Sequence, residues 1–127
     1  MPGTRTGGQD VAGEVWGYAP AAVTAGAYLA ERVILYPCRL TAVKAYANVA
    51  GTGGGSTVVD VLVNGVSVWS APANRPTLAA TAVGEFANTH PNRGTALDPG
   101  DRVAVQVAAV STTGHGRVAV GAALEHP

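Results

Sequence analysis

A chain of 127 residues can bury one sizeable core but not two, which bounds it at one domain. Apolar residues make up 47% of it and charged residues only 13%, against about 25% charged in an ordinary soluble domain. Eight basic and eight acidic residues cancel, so the attraction to phosphate that drives non-specific nucleic-acid and acidic-membrane binding is missing. Cys38 is the only cysteine, which excludes an internal disulfide framework and Cys-rich metal sites and reads as a small buried hydrophobe. The first ten residues have no apolar signal region, and no window approaches a membrane span of about 18 apolar residues. The expectation is a soluble, unexported protein.

Residues 1–22, "MPGTRTGGQDVAGEVWGYAPAA", lack strand or helix periodicity yet carry Val15, Trp16 and Tyr18. They predict an extended N-terminal arm ahead of a domain over 23–127. A solvated tail has no use for Trp and Tyr, so these side chains should dock, either on this domain or on a neighbour. From Val23 onward the pattern is strand, turn, strand. "YLAERVILY" (28–36) ends at Pro37. "RLTAVKAYANV" (39–49) alternates Val43, Ala45, Ala47 and Val49 against Lys44, Tyr46 and Asn48, the period of a half-buried strand. After "GTGGGS" (51–56), Val59, Val61 and Val63 share one face with Asp60 on the other. Asn64-Gly65 then predicts a type I′ hairpin, because that turn needs positive φ at both central residues. Val66–Trp69 is the returning strand.

A weak strand is expected at 77–83 and a polar loop at 85–92. In "LDPGDR" (97–102) Pro99 presets φ and Gly100 accepts positive φ. Val103, Val105 and Val107 alternate in the next strand. "STTGHG" turns the chain, and Val118, Val120, Ala122 and Leu124 close the domain. Many short strands between Gly and Pro turns predict an all-β fold, a single antiparallel β-sandwich that is jelly-roll-like.

Few residues offer chemistry. The glycine run lacks the Lys and the following helix of a phosphate-binding loop. His90, His115 and His126 are separated in sequence and read as exposed loop residues; a metal on a symmetry axis, with His115 from each copy, is the remaining option. Asp98 and Asp101 belong to a turn, Asp60 reads as an outward strand residue paired with an Arg, and Glu85 is the other candidate carboxylate. No nucleophile motif is present. The sequence predicts no enzyme, no catalytic residue, no cofactor and no metal.

The succession of Gly53–Ser56, the "VDVLVNG" hairpin at Val59–Gly65, Trp69, "ANRPTL" at Ala73–Leu78, "LDPGDRVAVQV" at Leu97–Val107 and the apolar strand Val118–Leu124 resembles the small β-sandwich domain of tailed-bacteriophage virion proteins. That family includes tail-fibre-like and capsid-decorating proteins. The resemblance covers roughly residues 33–124; residues 78–97 are longer and more irregular than in the family, and nothing before Val33 has a counterpart. It implies a virion structural protein and does not by itself separate capsid from tail; because the domain stands nearly alone with an aromatic arm, the leading expectation is a capsid decoration (cement) protein. Such a protein would be made in the host cytoplasm, sit on the capsid surface as a homotrimer, and bind the major capsid protein, with no nucleic acid or membrane partner. Arg5, Val15, Trp16 and Tyr18 of the arm would make the capsid or neighbour contact, and removing residues 1–22 should leave a folded domain that no longer saturates capsids. The alternative is a tail-fibre or head-surface receptor- or carbohydrate-binding module, in which Trp69, Asn74 and Arg75 form the surface-binding or subunit-interface site.

Overall fold

The computed structural model describes residues 11–84, 87–91 and 95–125. Ten strands are formed there: β1 (Val11–Ala19), β2 (Tyr28–Val33), β3 (Cys38–Val49), β4 (Ser56–Val63), β5 (Val66–Ser67), β6 (Thr77–Ala79), β7 (Ala87–Thr89), β8 (Thr95–Leu97), β9 (Arg102–Ala109) and β10 (Gly116–Glu125). A single 3₁₀ turn, Pro72–Asn74, lies between β5 and β6. One sheet runs β1-β10-β3-β7 with β8 also on β3, and the other runs β2-β9-β4-β5 with β6 also on β4. Every pairing is antiparallel.

The pairings are nested. β1 pairs with β10, β2 with β9, β3 with β7 and β8, and β4 with β5 and β6. Successive pairs fall in alternate sheets, so the chain is one long hairpin wound around a common core, the wrapping of a jelly roll. The innermost turn of that hairpin is Asn64-Gly65, with φ of 51° and 86°. Those are the signs a type I′ turn demands, as the sequence predicted.

Alternation puts the apolar residues inside. Leu40, Val43, Ala45 and Ala47 of β3 and Val118, Val120, Ala122 and Leu124 of β10 face Val59 and Val61 of β4 and Val103, Val105 and Val107 of β9 across the sandwich. Val49, placed by the alternation on the same face, is 49% exposed at the last residue of β3. Gly51, first of the glycine run, is buried, and a methyl on it would collide with Ser111 Oγ and the Thr113 carbonyl. The run therefore serves a close approach of two loops, joined by the Thr52–Thr113 bridge.

Two segments read as loop or arm form strands instead. Ala87–Thr89, within the stretch expected as a polar loop, pairs with Val43–Ala45, since the edge of the long β3 offers backbone groups that a polar segment can satisfy. Residues 11–19 of the expected arm form β1, paired along its length with β10 and interrupted by a bulge between Val15 and Gly17. Of the two dockings the sequence left open for Trp16, the chain's own core takes it: Trp16 is 2% exposed. Sheet periodicity was hidden there because the bulge and the glycines at 13 and 17 break the alternation.

Candidate functional site

Trp69 follows β5 and is 3% exposed. Its indole N–H donates to the His90 carbonyl at 3.0 Å, and the His90 Nδ1–H donates in turn to the Thr41 carbonyl at 3.0 Å. The indole thus ties the end of the inner hairpin to the opposite sheet. A sugar platform needs an open aromatic face, and the buried Trp69 offers none. Asn74 is exposed on the 3₁₀ turn, while Arg75 is turned toward the protein and donates from Nε to the Pro72 carbonyl at 2.9 Å. The three residues expected to form one binding surface therefore do not share an open face.

Asp60, read from the sequence as an outward residue paired with an Arg, has that partner but is buried at 6% exposure. Its carboxylate accepts the Ser67 hydroxyl at 2.7 Å and the Arg75 guanidinium at 3.4 Å. Ser67 Oγ accepts the Trp69 backbone N–H at 3.2 Å. The cluster pins the 67–75 loop over β4, and its serine gives its proton to a carboxylate with no imidazole between them. That arrangement fastens a loop and does not raise a nucleophile.

His115 is the clearest departure from expectation. Read as an exposed loop residue, it has 0% exposure. Nε2–H donates to the Ala79 carbonyl at 2.9 Å, which leaves Nδ1 to accept the Thr57 hydroxyl at 2.7 Å in the neutral ring. With both nitrogens engaged inside one domain, this ring cannot reach an ion on a symmetry axis. The surrounding glycines and polar residues disguised a core position as a loop. His126 and Glu85 lie outside the described residues. Among the described residues no group of three or more His, Cys, Asp or Glu could hold a metal, and no helix is long and apolar enough to cross a membrane.

Of the arm residues, Arg5 lies outside the described residues, and so does the side chain of Val15. Trp16 is internal, and the Arg32 guanidinium lies 5.4 Å from its ring centroid, a cation–π contact that seals the β1–β2 corner. Tyr18, at 52% exposure, is the one arm aromatic that faces out.

What the sequence reading missed is the end of the sandwich at which β2 stops. Val33, Leu35 and Tyr36 are 56%, 71% and 72% exposed. This apolar tip is held in place: Ile34 N–H donates to the Asp101 carbonyl at 2.9 Å, and Gly100 N–H donates to the Ile34 carbonyl at 2.8 Å. The 98–102 turn is itself clamped to the hairpin. Asp101 accepts the Asp98 backbone N–H at 2.8 Å and the Asn64 amide at 3.1 Å, and the Arg102 N–H donates to Asn64 Oδ1 at 3.0 Å. The Asp98 N–H first, and the Asn64 amide second, hold the Asp101 carboxyl below its ordinary value near 3.8. Read as strand, "VILY" gave no sign that its last residues would stand free of the core.

Compared with protein-family models, curated proteins and solved structures, the chain matches none, so the resemblance to phage virion domains rests on the quoted segments of sequence.

Proposed function

We propose that the protein is a virion structural protein of a tailed phage, a capsid decoration protein that binds the head surface in many copies and stabilises the shell. The observation that carries this reading is where the large apolar side chains go. In a chain with only 13% charged residues, Tyr18, Tyr28, Leu35 and Tyr36 stand 52–72% exposed on the outside of a jelly roll. Such a surface suits lasting contact with other protein. Jelly rolls recur in capsid and lectin domains, an analogy at the level of fold.

In this reading the partner is the major capsid protein, with copies of the chain associating on the shell as homotrimers. Arg5, which lies outside the described residues, would supply the cation of the capsid contact. Sites repeated over a shell turn modest affinities into avidity. The test is the copy number of the chain in purified virions relative to the major capsid protein. Hundreds of copies are expected; a handful would place the chain in the tail, and none would end the reading.

A further inference from the structure

On the outer face of the β2-β9-β4 sheet, register sets Leu62 of β4, Ala104 of β9 and Glu31 of β2 in one row across the strands. Alternation turns all of them outward, since Val61, Val103 and Val105 face the core. Tyr28 stands beyond one end of that row, opposite Gln106, and Arg102 and Asn64 stand beyond the other. Because Ala104 is small, the larger side chains around it wall an open dish of about 130 Å³.

The walls are chemically mixed. Tyr28 is 55% exposed, so its ring offers an apolar face with a hydroxyl at the rim. Glu31 and Arg102 are exposed, and among the described residues neither side chain is engaged by another group. They are diagonal neighbours on adjacent strands, a spacing of about 7–8 Å that lets both reach one small molecule between them. Asn64 is held ready: its oxygen accepts the Arg102 backbone N–H at 3.0 Å, and one amide N–H goes to Asp101 at 3.1 Å. The second N–H of that amide remains for a ligand, and little ordering opposes its use.

We propose that this dish is a binding site for a neutral pyranose, one hexose unit of a glycan. The charges decide the class. One carboxylate and one guanidinium cancel, so a net anion or cation that gains at one wall loses at the other. A ligand that satisfies both walls carries donors and acceptors on adjacent atoms, as vicinal hydroxyls do: one donates to Glu31 while its neighbour accepts from Arg102. It also presents an apolar patch to Tyr28, which the C–H face of a pyranose supplies. A zwitterion would match the charges, but ion pairs on an open face contribute little, whereas stacking on Tyr28 does not require exclusion of water. The aromatic residue is thus Tyr28 rather than the buried Trp69, and the sheet face rather than the 67–75 loop is the platform. A dish well below the roughly 300–1,000 Å³ of ordinary ligand pockets holds a single ring at about millimolar Kd, which many copies side by side would raise through avidity.

The experiment is a titration of the full chain, free in solution and labelled with nitrogen-15, followed by its amide chemical shifts. The probes are methyl β-glucoside, methyl β-galactoside and methyl α-mannoside, each to about 50 mM, with glucosamine, glucuronate and the zwitterion proline as charged controls. At least one methyl hexoside should shift amides at 28–31, 62–65 and 102–104 and approach saturation. Tyr28→Ala should weaken binding about fivefold or more and Tyr28→Phe should retain it, because stacking is the common element. Ala104→Leu, which fills the floor and removes no polar group, should weaken it as much. Glu31→Gln and Arg102→Gln should each cost about two- to fivefold, and Tyr36→Ala, at the apolar tip, should change nothing. The amide spectrum of each variant shows directly whether it is folded. No shift with any of the methyl hexosides, shifts centred elsewhere, or a folded Tyr28→Ala or Ala104→Leu that binds like the wild type would each overturn the proposal. So would a stronger response to any of the charged controls. No capsid is needed, so the outcome is separate from that of the shell reading.

Discussion

Asn64 does more than turn the chain. A non-glycine residue at φ 51° is tolerated because a short amide side chain can bond locally, and here it bonds the start of β9 with both its oxygen and its nitrogen. Asn64→Ala should cost about 2 kcal/mol, from the left-handed backbone and two lost hydrogen bonds. The penalty should depend on pH. A carboxyl held below its ordinary value contributes stability above that value and loses it as pH falls through the folded one. For Asp101 the loss begins below about pH 3.8. The difference in Tm between wild type and Asn64→Ala should therefore be constant near neutrality and narrow in acid; an unchanged gap at pH 2 would mean that the amide does not act on Asp101. Asp60 allows a second test. Asp60→Ala leaves Ser67 and the partly buried Arg75 without their acceptor, for about 1–3 kcal/mol in a urea melt. Asp60→Asn keeps an oxygen for Ser67 and should cost less; equal losses would mean that the Ser67 bond contributes nothing.

Among the elements, β1 carries the largest revision. A folded remnant was expected after removal of residues 1–22, but Val11–Ala19 is the outer strand on β10 and Trp16 fills the core. Loss of a buried Trp side chain alone costs about 3–5 kcal/mol, a large share of a small domain's stability of about 5–15 kcal/mol. Deleting residues 1–19 should therefore unfold the protein or leave it aggregating through the bared β10 edge. Deleting residues 1–10 should leave the melting temperature within a few degrees and, if the shell reading holds, reduce head occupancy. Full occupancy by a folded 1–10 deletion would remove the arm from the mechanism. The inner elements were easier to read. Val59, Val61 and Val63 before Asn-Gly, and Val103, Val105 and Val107 after "LDPGD", have clean alternation because each strand has one buried and one outer face. β1 has a bulge, and β7 takes its conformation from the edge it meets, so neither carries a local signal.

At the scale of the whole molecule, the "VDVLVNGVSVW" stretch lies at the centre of four nested strand pairings, and its turn sets the register for what winds around it. The sequence by itself determined the class of fold, most strand positions, the hairpin turn and the neutrality of the surface. Period-two alternation and turn chemistry are local properties that survive without knowledge of neighbours. Tertiary structure alone decided which strands pair, that Trp16, Trp69 and His115 are internal, that Asp60 is buried beneath its own loop, and that Leu35 and Tyr36 are not. Burial is a relation between segments distant in the chain. A Trp beside glycines or a His in a polar turn reads as surface until another strand closes over it, and an apolar "VILY" reads as core until the fold leaves its end with nothing to cover it.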